Sequence, residues 1–410
     1  MVSMKRFIEC TVLSLVVFYS SFSFGIEELH IWEDKDKSIG IKHAIAEFEK
    51  EYDCKVIVEE SPYVGHSDKI RIAGPTGNGP DIFLLPSDRF GSALAYGLIA
   101  PLEFMEKEDN RYLKEATDSF FFNNDYYGMP KAVETLCLYY NKTYLKEPYI
   151  FLDDYFKNFD PSKNNIPKYG LLSIWDQLYY SYGIIKGYGG YIFGKDIMGN
   201  YDVKDFGLNN EASLNAFEYL KRIYRTHNIP NDFLIGTRSS RLEAMDKYFL
   251  EGQTVAVIGG PWLADKYFSQ TAFDVGVAPL PLLPNSNPMH SFIGVKAYVI
   301  STWAKNHELA EKFLRFINRD QFAIERFEIT YEIPPIIEVL NHDSVKNIEL
   351  VKAIFAQIRC SELMPSIPAM KYVWDIFNHN LSMLITGQLP TNEGLKKCAN
   401  ELRSLLDKSE

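Results

Sequence analysis

The chain is short of cysteine, of basic charge and of long apolar runs, and each shortage removes a class of protein. Only 5 cysteines occur in 410 residues. They stand far apart, with no CxxC pair, so a structural zinc site has no ligand set. Lys and Arg number 43 against 54 Asp and Glu, a formal net charge of −11. A nucleic-acid backbone would repel such a chain, and no local Lys/Arg stripe offsets this, so no nucleic-acid partner is expected. Beyond residue 25 no stretch is apolar over the roughly 20 residues that span a bilayer. GxSxG, HExxH, GxGxxG and EF-hand patterns are all missing. The 8 histidines show no metal-ligand spacing, so no metal and no cofactor are expected. One nucleotide-like run, Gly189 to Asp196 (GGYIFGKD), has Asp where a P-loop needs Ser or Thr for Mg²⁺. It also lacks a clean preceding strand and reads as a Gly-rich turn.

What is present is an ordinary globular composition, 46% hydrophobic and 24% charged. That excludes collagen-like and disordered polymers. A length of 410 residues favours two or three domains over one core. Residues 1–25 read as a secretory signal peptide: Lys5 and Arg6 lead an apolar segment, Thr11 to Phe24, and Ser23 and Gly25 fit a cut after Gly25. A membrane anchor is the alternative, but the apolar stretch is short and IEELHIWED follows it at once. An exported protein, periplasmic or extracellular, is expected. Cys54, Cys137, Cys360 and Cys398 would remain; a disulfide is open to them in an oxidising compartment, and buried, inert thiols fit their apolar flanks better.

The first stretch reads β-α-β. Leu29–Trp32, Lys55–Val58 and Asp81–Leu85 are short apolar strands, and Ile41, Ala44, Ile45 and Phe48 recur at helical spacing between the first two. Strands joined by helical crossovers argue for an α/β layered domain. An amphipathic helix runs through Leu214, Phe217, Leu220 and Ile223. Thr254–Ile258, Val275–Ala278 and Ala297–Ile300 read as further strands, and Leu309 to Ile317 as a second strong helix. After Pro334-Pro335 the tail is mainly helical, interrupted by MPSIPAM (Met364 to Met370).

Aromatic residues make up 14% of the chain. Several sit beside polar groups: Trp32 near Asp36-Lys37, Asp88-Arg89-Phe90, Tyr179-Tyr180, Gly260-Pro261-Trp262, and Trp374. A sugar has a C–H face and a hydroxyl rim. Flat aromatic rings suit the first, and charged or planar hydrogen-bonding groups suit the second. Taken singly, each ring could equally be core.

With these clusters on view, the chain resembles the maltose/maltodextrin-binding proteins, the extracellular solute-binding proteins of bacterial sugar ABC importers. Its landmarks follow in that family's order from about Ile26 to the last helix: HIW and DK (30–32, 36–37), FEKEYDCKVIVEE (48–60), GNGPDI (77–82), SDRFG (87–91) and KAVETLCLYYNK (131–142). GGY (189–191), YDVKDFGLNN (201–210), GGPW (259–262), FIGV (292–295), and MPSIPAM with Trp374 complete the series. The resemblance implies an α/β, two-lobe periplasmic-binding-protein fold with a hinge and an inter-lobe ligand cleft. It divides the chain into 26–132 plus 297–343 as N-lobe and 133–296 plus 344–410 as C-lobe. Function is implied as capture of a di- or oligosaccharide and delivery to the membrane permease of an ABC importer, by a monomer that is not an enzyme. Asp36, Lys37, Asp88, Arg89 and Glu134 would hydrogen-bond hydroxyls. Tyr179, Trp262 and Trp374 would be stacking platforms, with Met364 nearby. Leu85, Asp375 and Asn378 replace family site residues, so a maltose- or maltodextrin-like ligand is implied, and a different di- or oligosaccharide fits equally well. Two alternatives stay open: an exported glycosidase using Glu134 with Asp36 or Asp88, or the same fold binding a polyol or phosphate-bearing ligand, for which only Lys37 and Arg89 are evident cations.

Overall fold

The computed structural model describes residues 26–159, 167–226, 229–230, 233 and 237–408. The expected signal segment, 1–25, lies outside them. Among the described residues, two large sheets hold seven and four strands, and nine of these eleven are longer than two residues. The first sheet opens with β1 (Glu27–Glu33), β2 (Cys54–Glu60), β3 (Ile82–Pro86) and β4 (Met129–Glu134). The chain then forms β5 (Cys137–Asn141), β6 (Tyr169–Leu172), β7 (Thr254–Gly259) and β8 (Val275–Ala278) of the second. It returns to the first sheet with β9 (Phe292–Ser301).

In the first sheet β1 lies parallel between β2 and β3, and β9 runs antiparallel to both β3 and β4. In the second, β5 lies antiparallel between β8 and β7, and β6 is parallel to β7 on its far side. Burial explains the strand sequences. Every residue of β3, β7 and β9 is buried, so these read as continuous apolar runs. β2, at an edge, begins with alternating buried and exposed residues.

The helices that position the site are α1 (Lys42–Tyr52), α2 (Ser87–Ala95), α3 (Leu178–Gly187), α4 (Glu211–Thr226), α5 (His307–Ile317), α6 (Asp320–Thr330), α7 (Glu349–Ile358), α8 (Met370–Thr386) and α9 (Thr391–Leu406). α5 shows how sequence sets them. Asn306 caps its N-terminus, accepting from the Leu309 N–H at 2.9 Å. Leu309, Phe313, Phe316 and Ile317 form its buried face, and Phe313 and Phe316 meet Phe48 of α1 edge-on at 5.0 and 5.3 Å. The expected helix of 309–317 and strand of 297–300 are therefore present, each extended toward its N-terminus.

Only Thr135 and Leu136 separate β4 from β5, so the chain steps between sheets there in two residues. It crosses again between β8 and β9, and once more after α6 on the way to α7, which packs on β8. α8 packs against α3, α4 and α9 and touches α2, the helix that follows β3. Gly91 permits that touch: a Cβ there would lie 2.5 Å from the Ser366 carbonyl oxygen and 2.8 Å from Pro368. Phe193–Lys195 pairs antiparallel with Tyr201–Phe206, so the GGYIFGKD run is a hairpin arm and no helix receives it. Among the described residues no helix is long and apolar enough to cross a membrane, and no cluster of three His, Cys, Asp or Glu could hold a metal. Cys54, Cys137 and Cys398 are buried free thiols, and Cys360 is a half-buried one.

Candidate functional site

Two of the three expected platforms, Tyr179 and Trp374, adjoin the ring of Phe292, and the third, Trp262, joins them through Tyr179. Phe292, the first residue of β9, is fully buried. Tyr182 of α3 stacks on it at 4.0 Å and 8°, Tyr179 lies 6.1 Å away, and Trp374 of α8 meets it nearly edge-on at 5.9 Å and 80°. Tyr179 and Tyr182 are one helical turn apart and share a face of α3. Trp262 stands in the short 3₁₀ turn after β7, with its ring 6.2 Å from Tyr179. Tyr179, Trp262 and Trp374 remain half-buried, so part of each side chain is open. Phe292 and Tyr182 are themselves fully buried.

The polar side begins at the first turn of α2, where a carboxylate is favoured by the helix dipole. There the Trp374 indole Nε1 donates to Asp88 Oδ2 at 3.0 Å, and Arg89 Nε lies 3.7 Å from the same oxygen. Burial pushes the Asp88 carboxyl above its ordinary range, opposed by the Arg89 charge and the indole hydrogen bond. Asp88, Arg89 and Trp374 therefore form one cluster across two elements that the chain separates widely.

Glu134 ends β4. Its Oε2 lies 3.2 Å from the ammonium of Lys296 on β9. Burial raises the Glu134 carboxyl and Lys296 opposes the rise, while Lys296 itself is held well above its ordinary value by the surrounding anions, against its own burial. The Tyr63 ring covers the Lys296 ammonium at 4.6 Å. Gly294 faces Glu134 in register, and a Cβ there would sit 3.2 Å from the Glu134 Cγ, so glycine leaves that side chain its room.

The other expected residues are more peripheral. Lys37 is half-buried, and its ammonium donates to the Thr330 carbonyl at 3.1 Å. Asp36 is exposed, in a left-handed backbone conformation (φ 61°), with its N–H donating to Glu60 at 3.1 Å. No contact joins it to the cluster among the described residues. Met364 is buried, and its N–H donates at 3.2 Å to the carbonyl of Ile293, the neighbour of Phe292. Leu85 is fully buried in β3 and Asp375 is exposed. Asn378 accepts from the Leu178 N–H at 3.0 Å and so caps the start of α3. Phe292, Tyr63, Lys296 and Glu332 were not singled out as site residues. A lone lysine inside the apolar run FIGVKAYVIS was the available signal for Lys296.

Two sheets with a three-fold crossing, and aromatic and charged clusters where they meet, define a binding protein of the solute-capturing kind. The profile of the family described as bacterial extracellular solute-binding protein matches residues 43–353, and the chain belongs to that family. Among curated relatives, the galactooligosaccharide-binding protein of Bacillus subtilis is 36% identical over 376 residues, covering 91% of this chain and 88% of its own length. The maltodextrin-binding protein MdxE of the same organism is 34% identical over 332 residues, covering 80% and 78%. Among solved structures, MalX of Streptococcus pneumoniae in complex with maltopentaose superposes with a TM-score of 0.83 at 28% identity, covering 92% of this chain and 100% of that one. The maltose-binding periplasmic protein of Listeria monocytogenes, in complex with maltose, gives 0.79 at 27%, covering 94% and 99%. The fold is thus the α/β two-lobe fold of these binding proteins, as expected.

Proposed function

We propose that this protein is exported, captures a di- or oligosaccharide between its lobes, and presents it to the permease of an ABC importer. The observation that carries this reading is the chain of rings Trp262–Tyr179–Phe292–Trp374, whose last member hydrogen-bonds Asp88 of the Asp88–Arg89 pair. Half-open rings serve the C–H face of a sugar, and buried charged groups serve its hydroxyls. Asp36, Lys37, Asp88, Arg89 and Glu134 are the hydroxyl partners in this proposal, with Met364 packing beside Tyr179, Trp262 and Trp374. The relatives divide between galacto- and maltooligosaccharide binders, so the ligand class is oligosaccharide, with the linkage set by peripheral residues.

The first lobe, in this reading, carries β1 to β4 and β9 with α1, α2, α5 and α6. Its boundary therefore falls before Phe292, since β9 continues unbroken through the 296/297 position expected from the sequence. The hinge passes through Thr135-Leu136 and the two later crossings. Sugar touching both lobes favours the closed form by its differential affinity. A signal peptide cut after Gly25, a monomeric state and the absence of enzymatic turnover belong to the same proposal.

A thermal-shift screen over maltooligosaccharides, galactooligosaccharides, polyols and sugar phosphates tests it, because a ligand that binds only the native state raises the melting temperature. A rise with an oligosaccharide, and the same sugar recovered intact after incubation, supports the reading. Hydrolysis of the sugar would favour a glycosidase built on Glu134 and Asp88. Scattering curves that superimpose with and without the bound sugar would remove closure.

A further inference from the structure

Behind Glu134 runs a file of alternating charges that the hydroxyl-binding role alone does not require. The Lys131 ammonium lies 2.7 Å from Glu33 Oε1 and 2.9 Å from Glu332 Oε2. The Lys296 ammonium lies 3.8 Å from Glu332 Oε1 and 3.2 Å from Glu134 Oε2. Tyr298 closes the inner end by donating its hydroxyl to Glu33. Glu33 and Lys131 are fully buried, Glu332 and Lys296 are 5% exposed, and Glu134 is 14% exposed. The file thus runs outward from the dry interior of the first sheet, and Glu134 is its most exposed member.

Such an arrangement is expensive to build. Each buried ion costs several kcal/mol of desolvation, and well-packed apolar residues of similar volume commonly do as well or better for stability. The charges come from β1, β4, β9 and the segment after α6, so no local motif explains them. Three carboxylates alternate with two ammonium groups, which leaves one excess negative charge within the file. We propose that Lys296, backed by Glu332, is a positioning residue for sugar recognition: it clamps one oxygen of Glu134 so that the carboxylate stays ionised and presents its other oxygen to a ligand hydroxyl. Charged acceptors make shorter and stronger hydrogen bonds than neutral ones. The lysine itself does not touch the sugar. This inference rests on the oligosaccharide-binding reading above.

The groups that face this pair are few. Glu134 meets Lys296 from β9, Glu332 from the segment after α6, Asp34 from the turn after β1, and Tyr63 from the 3₁₀ turn after β2. Lys296 meets Glu134, Tyr63, Glu332 and Asp34. Desolvation drives the Glu134 carboxyl upward and Lys296 is the largest opposing influence, so removing the ammonium lets that carboxyl take a proton nearer neutrality.

The test is equilibrium titration of the chain from residue 26 with maltotriose and, separately, galactotriose between about pH 5 and about pH 9. The wild type is compared with Lys296→Met, Lys296→Arg and Glu134→Gln. At about pH 7, Lys296→Met binds the preferred trisaccharide about ten- to a hundredfold more weakly. Its affinity recovers as pH rises, with a midpoint at least about one pH unit above the wild type's. Lys296→Arg keeps the wild-type pH profile, and Glu134→Gln is weak at every pH. If Lys296→Met binds like the wild type, or is weakened equally at every pH, the positioning role is overturned. Should Lys296→Met fail to fold, carboxyl-carbon NMR of Glu134 in the wild type and Lys296→Arg decides: Glu134 must titrate with the same midpoint as the affinity, and a midpoint unrelated to it refutes the role. A wild type that binds neither trisaccharide overturns the binding reading and this inference with it.

Discussion

The indole N–H of Trp374 donates to the carboxylate of Asp88 at 3.0 Å, joining residues that the chain separates by 286 positions. Asp88 stands on α2, behind the first sheet, and Trp374 on α8, which packs with the helices of the second. The bond therefore ties the helix that follows β3 of the first sheet to a helix packed with those of the second. Trp374 serves two purposes here, as ring and as donor, and substitution can separate them.

Trp374→Ala removes both, and maltotriose or galactotriose affinity should fall by about tenfold or more. Trp374→Phe keeps a ring but removes the hydrogen bond to Asp88 while the Arg89 pair remains, so its loss should be smaller. Fluorescence or calorimetric titration measures both. Wild-type affinity in the alanine variant would remove Trp374 from the ligand site.

Phe292 has no open face for a sugar, yet it touches Tyr179, Tyr182 and Trp374. Phe292→Ala should destabilise the fold by about 3–5 kcal/mol through the cavity it leaves. Phe292→Leu fills most of that space, and should restore most of the stability without restoring the stacking on Tyr182. Guanidinium unfolding gives the first quantity. Ligand titration of the leucine variant gives the second: weakened binding in a stable protein marks Phe292 as backing for the platforms, and unchanged binding marks it as core alone.

Those two residues also show where sequence was informative. Asp88-Arg89 and Trp374 stand in local motifs, SDRFG and MPSIPAM followed by Trp, and such motifs can be read without a fold. The strands were legible for a similar reason: Thr254–Ile258 and Val275–Ala278 are apolar runs of strand length bounded by turn residues, and burial on both faces demands such runs. Phe292 belongs to a run of the same kind, and nothing in FIGV says that its ring would face Tyr182, 110 positions earlier in the chain. The charge file was hidden more deeply. Glu33, Lys131, Lys296 and Glu332 lie on four separate segments, and only the pairing of β4 with β9 and the close approach of the chain after α6 bring them together. Asn378 illustrates the reverse case. It stands where the resemblance expected a sugar contact, and its side chain caps α3 instead.

Glu332 predicts how the fold responds to acid. Lys131 and Lys296 hold its carboxyl down at about 2, against the upward push of burial. A depressed folded-state value means that the unfolded chain binds the proton more readily. Stability from this group is thus present above its unfolded value and drains away between about pH 4.5 and about pH 2. Asp88 and Glu134 act with the opposite sign, since burial raises them and the folded form then holds the proton more readily. Melting temperature should therefore fall on acidification through that window, and Glu332→Gln should flatten the fall while lowering stability at neutral pH, where Lys131 is left with Glu33 alone. A Glu332→Gln profile parallel to the wild type's would show that the file does not govern acid stability.

The four cysteines give a probe of the native packing that needs no ligand. Thiol exchange requires the thiolate, so both access and pKa control the rate. Burial pushes Cys137 and Cys398 up to about 12, and it also raises Cys54 at the start of β2. Cys360 is the half-buried one, at the end of α7, with its Sγ donating to the Gln357 carbonyl at 3.2 Å. At about pH 8 an aromatic disulfide reagent should label Cys360 first and slowly, because that hydrogen bond and partial burial both restrain it. Cys54, Cys137 and Cys398 should stay unmodified until the chain unfolds, after which all four free thiols should titrate without a reductant. Mass spectrometry of the chain from residue 26 counts the adducts. Fast native labelling at two or more sites would contradict the packing of β2 and β5, and fewer than four adducts after unfolding would reveal a disulfide formed among thiols that the native fold keeps apart.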